Sequence, residues 1–196
     1  MGTDWKIIGE QLRLDKYRIL SLIIIAVVGV TVVLWGDNRI YMALGGTMAM
    51  VPAAYLDGRY GKLYHRLTIS MLIWGVLLTL GLELFLPDYH WQQAVGGMIG
   101  LGGMFFLLYF VTGQIGFGDV CYGAALGMFL GWQGAMLTFV LTFALGLAAA
   151  VREYLYYFVY GKWRRRILPL GPFMACGAYI TLLWGQELIG WYIRMF

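Results

Sequence analysis

Three observations predict that this sequence folds as an all-α, polytopic membrane helix bundle. The 196 residues are 61% hydrophobic and only 12% charged, against a usual charged share of about 25%, and a water-soluble fold of this size could not cover so much apolar surface. The apolar residues are gathered into runs, most of them near the roughly 17–25 residues that a helix needs to cross about 30 Å of hydrocarbon. The basic residues cluster in alternate breaks between those runs. About seven transmembrane helices follow, with residues 1–196 read as a single integral-membrane domain and residues 1–18 as a cytoplasmic N-terminal segment.

Taken in order, the chain opens on a mixture of acids and bases. Trp5, Ile8 and Leu12 fall at helical spacing with charges between them, which predicts a short interfacial helix before the first crossing. The apolar run that follows is longer than a signal-peptide core, and its exit, Trp35-Gly36-Asp37-Asn38, has no small-residue cleavage pattern, so this segment is read as retained. The runs are Ile19 to Trp35, Ile40 to Leu56, Ile69 to Leu86, Ala94 to Thr112, Val120 to Leu130, Ala135 to Val151 and Leu170 to Ile193. Val120 to Leu130 is too short to cross alone, so it must borrow flanking residues or lie where the bilayer is thinned or protein lines it.

If the N-terminus is cytoplasmic and the runs alternate, twelve of the 14 basic residues lie inside: Lys6, Arg13, Lys16, Arg18, Arg59, Lys62, Arg66, Arg152, Lys162, Arg164, Arg165 and Arg166. Only Arg39 and Arg194 lie outside, as the positive-inside rule requires. The formal charge of +4 is this loop bias, and the basic segments lack the aromatic interleaving of a nucleic-acid surface.

Several chemistries are excluded. Cys121 and Cys176 are not at paired-ligand spacing, so neither a zinc site nor a disulfide framework is supported. His65 and His90 fall in loops on opposite faces, which leaves no metal site and no Ser/His/Asp arrangement. Gly116-Phe117-Gly118 lacks the later glycine and the Lys-Ser/Thr pair of a phosphate loop. No cofactor is expected.

Among the acids, Asp4, Glu10, Asp15, Asp37, Asp88 and Glu153 fall in tails or loops, where a solvated charge needs no explanation. Glu83 and Glu187 lie toward the outer ends of runs, where they can snorkel or pair. Asp57 and Asp119 differ, because the topology puts both at the cytoplasmic boundary at similar depth. A carboxylate near a bilayer costs several kcal/mol, from about 2.5 upward at a helix centre. The plain alternatives are an N-cap for Asp119 and a loop acid paired with Arg59 or Lys62 for Asp57. Glycines separate the same way. Gly123, Gly127 and Gly131 recur every four residues, as do Gly96 and Gly100, giving small packing faces. Gly113, Gly116 and Gly118 precede Asp119, where absent side chains admit a substrate backbone and open dihedrals closed to other residues.

Two carboxylates held close together cannot both ionise, so such a pair shares one proton and titrates as a unit. The ionised member takes a proton from an attacking water while the protonated member donates to the developing oxyanion. Proton-coupled transport is the rival use of intramembrane acids, although no inverted repeat is visible and these acids lie at the boundary instead of the midplane. An inert membrane assembly factor is the third reading.

Gly116-Phe117-Gly118-Asp119-Val120, followed by Gly123-Ala124-Ala125-Leu126-Gly127 and closed by Gly131-Trp132, resembles the GxGD segment of type IV prepilin peptidases. Leu56-Asp57 with Lys62 to Thr68 looks like the first catalytic aspartate of that family and its trailing stretch, and Leu168-Pro169-Leu170-Gly171-Pro172-Phe173 resembles its Pro-Phe-Gly-Pro-Phe segment. This chain departs from the family in having Cys121-Tyr122 for Lys-Leu and Leu63-Tyr64 for Ile-Pro. The resemblance implies that Asp57 and Asp119 are catalytic, with Gly116, Phe117, Gly118, Gly171 and Pro172 around them. Pro169 and Pro172 are expected to keep the backbone there non-helical. It further implies a prepilin or pseudopilin substrate, cleaved between its short basic leader and its apolar helix at the cytoplasmic boundary, with membrane lipid as the other partner. Larger relatives carry a cytoplasmic insertion with paired Cys-x-x-Cys motifs; none occurs in this sequence, so cleavage is expected without a metal and without methyl transfer to the new N-terminus.

Overall fold

A computed structural model of the chain describes residues 3–35, 37, 40–61, 63–85, 90–161 and 169–195, with side chains from residue 9 onward. All seven elements among the described residues are helices: α1 (Thr3–Leu14), α2 (Lys16–Val33), α3 (Ile40–Tyr60), α4 (His65–Phe85), α5 (Trp91–Thr112), α6 (Phe117–Tyr160) and α7 (Gly171–Arg194). The protein is a helical membrane bundle. By length and composition α2, α4, α5 and α6 can each cross a bilayer, and α3 and α7 match them with 21 and 24 residues. Side chains such as Ile25, Leu77, Phe110 and Val140 stand exposed on the outside of the bundle, as lipid contact requires. The short N-terminal helix forms where the periodicity predicts it, although the side chains of Trp5 and Ile8 lie outside the described residues.

The fifth and sixth apolar runs both lie in α6, as two helical legs on either side of one residue. The 44 residues of α6 are broken at Gly131, with φ 68° and ψ 176°, a conformation open essentially to glycine alone. Along α5, Gly97, Gly102 and Phe105 face Gly127, Ala124 and Gly123 of the segment before the break. Gly96, Gly100 and Phe105 face Trp132, Ala135 and Phe139 of the segment after it. Partner numbers fall along one leg and rise along the other, so the legs are antiparallel and Gly131 is a hairpin apex. It turns the chain and also continues the four-residue packing face, since a β-carbon on Gly97 would meet the backbone of Gly131 as well as that of Gly127. The face itself is real at Gly127, where an added β-carbon would collide with the Gly97 carbonyl. That close approach of two backbones is what small residues permit between membrane helices.

The first leg, residues 117–130, is about 21 Å long at 1.5 Å per residue, shorter than the hydrocarbon. The second leg continues to Tyr160, so Glu153 is a buried helical residue and not the solvated loop acid expected. One of its oxygens, Oε2, has no hydrogen-bond partner. Between the hairpin, α3, α5 and α7 lies the main core, with Met50, Leu101, Phe105, Tyr122, Leu126 and Met174 all fully buried. Tyr122 donates its hydroxyl hydrogen bond to the Met50 carbonyl at 3.1 Å, tying the first leg of α6 to α3 beside Pro52.

Candidate active site

Asp57 occupies the last turn of α3 and is buried. Its Oδ2 accepts a hydrogen bond from the backbone N–H of Gly171 at 2.8 Å, the first residue of α7. The free N–H groups and the positive dipole end of α7 are therefore aimed at this carboxylate, the arrangement by which helix N-termini hold anions. Glycine is required for the approach. A β-carbon on residue 171 would lie 2.7 Å from Asp57 Oδ2 and 2.9 Å from Leu63 Cδ1. Pro172 follows in the first turn of α7, where a missing N–H removes no helical bond. This corrects the expectation that Pro172 keeps the backbone non-helical; Pro169 and Leu170 do lie ahead of the helix, and Leu168 is outside the described residues. Of the two partners expected for a loop aspartate, Arg59 is engaged by Asp15, and Lys62 lies outside the described residues.

Asp119 stands in the first turn of α6, half-buried. It is not the N-cap. Gly116 holds that position, and Asp119 reaches back from the third helical residue so that its Oδ2 accepts the Gly116 N–H at 3.1 Å, the acidic half of a capping box. Gly118 gives its empty side to the chain itself, since a β-carbon there would lie 2.8 Å from the Leu63 carbonyl. Leu63 is thus wedged between the starts of α6 and α7, against the glycines that accompany both acids. Phe117 remains partly exposed and packs between His65 at 5.5 Å and Tyr109 at 5.9 Å.

The structure brings Asp57 and Asp119 to one end of the bundle, near enough for the charge of one to act on the other. Other candidates stay apart. Glu83 Oε2 accepts the N–H of Trp91 at the far end, and Glu187 is exposed. His65 begins α4 whereas His90 precedes α5, at the opposite end. No three potential metal ligands gather among the described residues.

Sequence reading missed the support beneath the acids. Asp15, expected to be solvated, is buried: its carboxylate pairs with Arg59, and its Oδ2 accepts from the Tyr60 hydroxyl at 3.0 Å. The Tyr64 hydroxyl donates to Gln11 at 3.1 Å. The α1–α2 corner is thereby clamped to the end of α3 and to the loop carrying Leu63. No local signal in the sequence announces these contacts, because the partners are 44 to 53 residues apart.

Fold and site define a polytopic membrane protein with two carboxylates held at the starts of two helices. The profile of the type IV leader peptidase family matches residues 44–151, more than half of the chain and inclusive of both acids, and the chain belongs to that family. Among curated relatives it is similar to the "Prepilin leader peptidase/N-methyltransferase" of Aeromonas hydrophila, 30% identical over 169 residues, 83% of this chain and 54% of the relative. The protein of the same name from Aeromonas salmonicida is 29% identical over 187 residues, 92% of this chain and 61% of the relative. That from Legionella pneumophila is 26% identical over 157 residues, covering 79% and 54%. The chain thus spans little more than half the length of the curated relatives it matches. No solved structure matches.

Proposed function

We propose that this protein is an aspartyl endopeptidase that removes the short basic leader from type IV prepilins or pseudopilins at the cytoplasmic face of the inner membrane, with residues 1–196 acting as one domain. The observation that supports this reading is the placement of Asp57 and Asp119, 62 positions apart in sequence, at the same end of the bundle, each accepting a helix-terminal N–H. Aspartyl hydrolysis uses two such acids. The pair shares a proton; the ionised member activates water against the scissile carbonyl, and the protonated member donates to the oxygen as negative charge develops there.

The cytoplasmic assignment rests on charge. Arg13, Lys16, Arg18, Arg59 and Arg66 flank the ends of α1 to α4 from which the two acids are reached, which orients this end inward. A prepilin presents its cleavage junction at the same level, between a basic leader and an apolar helix. The location of both acids at a helix end, away from the bundle's middle, favours boundary proteolysis over proton-coupled transport.

Purified protein in detergent, incubated with a prepilin, tests the reading through release of the leader. Intact prepilin after exhaustive incubation with well-folded protein would overturn it.

A further inference from the structure

A second site lies on the back of α3. A cleft of about 840 Å³ opens between α2 and α7 over α3, in the upper part of the roughly 300–1,000 Å³ range of ligand sites. Its walls are apolar: Leu22 and Ile25 on α2, Val51 and Ala54 on α3, Ala175 and Ile180 on α7. Its charged groups are gathered at one end, where Arg18 and Arg59 stand with Tyr55 at the boundary that also holds the two aspartates. Arg59 bonds both Asp15 and the Tyr55 hydroxyl, while Arg18, largely exposed, lies 3.9 Å from Asp15.

Two features decide what fits. The first is length. From Arg18 to Ala26 the cleft follows α2 for about 12 Å, under half of the hydrocarbon thickness of about 30 Å. There it is closed: the Tyr179 hydroxyl donates to the Ala26 carbonyl at 3.0 Å, and beyond that tie Val30, Leu34, Ala43 and Leu183 fill the space between the same three helices. A peptide helix crossing the bilayer must continue past this point, whereas a lipid of one leaflet ends there. The second is charge. Two guanidinium groups and the Asp15 carboxylate leave one net positive charge at the mouth, which complements a phosphodiester and repels a basic peptide. Basic pockets between helices at a cytoplasmic boundary are suited to anionic head groups.

We propose that this cleft holds one anionic phospholipid of the adjoining leaflet, its phosphate at Arg18 and Arg59 and an acyl chain along Ile25, Ala54 and Ile180. A zwitterionic lipid would bring its own ammonium against the arginines and is disfavoured. Neither Asp57 nor Asp119 lines the cleft, although Gly58 and Pro172 beside them do, so its occupant is read from lipid binding and not from cleavage.

Native mass spectrometry of the detergent-purified chain with equimolar phosphatidylglycerol and phosphatidylcholine tests the proposal. One phosphatidylglycerol should be retained in preference, and Arg18→Gln should lower that preference by about fivefold, the value of one arginine near a charged head group. Ala54→Phe, which fills the cleft, should remove retention altogether while the helical circular dichroism is unchanged. Cys176 also lines the cleft and is exposed, so phosphatidylglycerol should slow its alkylation several-fold, read by peptide mapping against Cys121. Equal retention of the two lipids, or Arg18→Gln equal to wild type, would overturn the assignment. So would protection of Cys176 by a prepilin's apolar helix or by raised protein concentration without lipid, results that identify a substrate helix or a second copy as the occupant.

Discussion

The backbone N–H of Gly171 and the carboxylate of Asp57, 114 residues apart in sequence, meet at 2.8 Å. This contact fixes the end of α3 against the start of α7, and it separates the charge of Asp57 from its structural task. An asparagine could still accept from Gly171, but it could not exchange a proton.

Asp57→Asn and Asp119→Asn are therefore expected to insert and fold normally while each loses leader cleavage by about 10²–10⁴-fold, the contribution of one general acid or base. The assay is prepilin cleavage by membranes matched for protein content. Turnover near wild type in either variant would remove that residue from the pair.

Gly171→Ala places a methyl group on Asp57 and Leu63 together. The start of α7 must withdraw, and a displacement approaching 1 Å at the site costs on the order of hundredfold in rate. Single-turnover cleavage should show a loss of this size. Unchanged turnover would mean that the carboxylate needs no fixed partner from α7.

Gly131→Ala separates backbone strain from crowding. The nearest atom to an added β-carbon is Gln93 Cβ at 3.7 Å, an ordinary contact, so the cost comes only from the dihedral angles and should be about 1–3 kcal/mol. A lowered thermal midpoint in detergent, with cleavage per folded molecule retained, is the expected result. Gly127→Ala should be at least as damaging for the opposite reason, because there a β-carbon meets backbone.

Tyr122→Phe removes the hydroxyl that reaches Met50 and should cost about 0.5–1.5 kcal/mol, seen in the same melting experiment. A larger fall in cleavage than in stability would show that the tie between α3 and α6 also sets the spacing of the two acids.

Leader cleavage should withstand strong chelators, and a prepilin incubated with labelled methyl donor should be cleaved without label. Activity lost on chelation and restored by zinc would contradict the first expectation, and a labelled product the second.

Much of this architecture was legible in the chain because membrane helices write themselves as uninterrupted apolar runs, and because the basic residues mark alternate ends. The helical spacing of Trp5, Ile8 and Leu12 was sufficient for α1, and the alternation of the runs was sufficient to bring Asp57 and Asp119 to one side. What escaped notice was tertiary. A glycine every fourth residue reads identically whether it only packs, like Gly127, or packs and also turns the chain, like Gly131. Asp15 looks like any acid between two helices until Arg59 and Tyr60 close over it. Gly118 invited a substrate backbone in the sequence, yet the backbone that lies there is Leu63 of the same chain. Nor does any local pattern reveal a cleft formed by α2, α3 and α7 together.

The clamp at Asp15 bears on how far the family's common segment can be treated as self-sufficient. That segment begins at residue 44, after α1 and α2, yet Arg59 and Tyr60, next to Asp57, both lean on a carboxylate at position 15. Cut loose from the first two helices, the shared segment would carry, two residues from the acid it has to hold still, a guanidinium that keeps the Tyr55 hydroxyl but has lost its carboxylate. The portable unit is larger than the segment that the family profile recognises, and part of its foundation lies ahead of that segment.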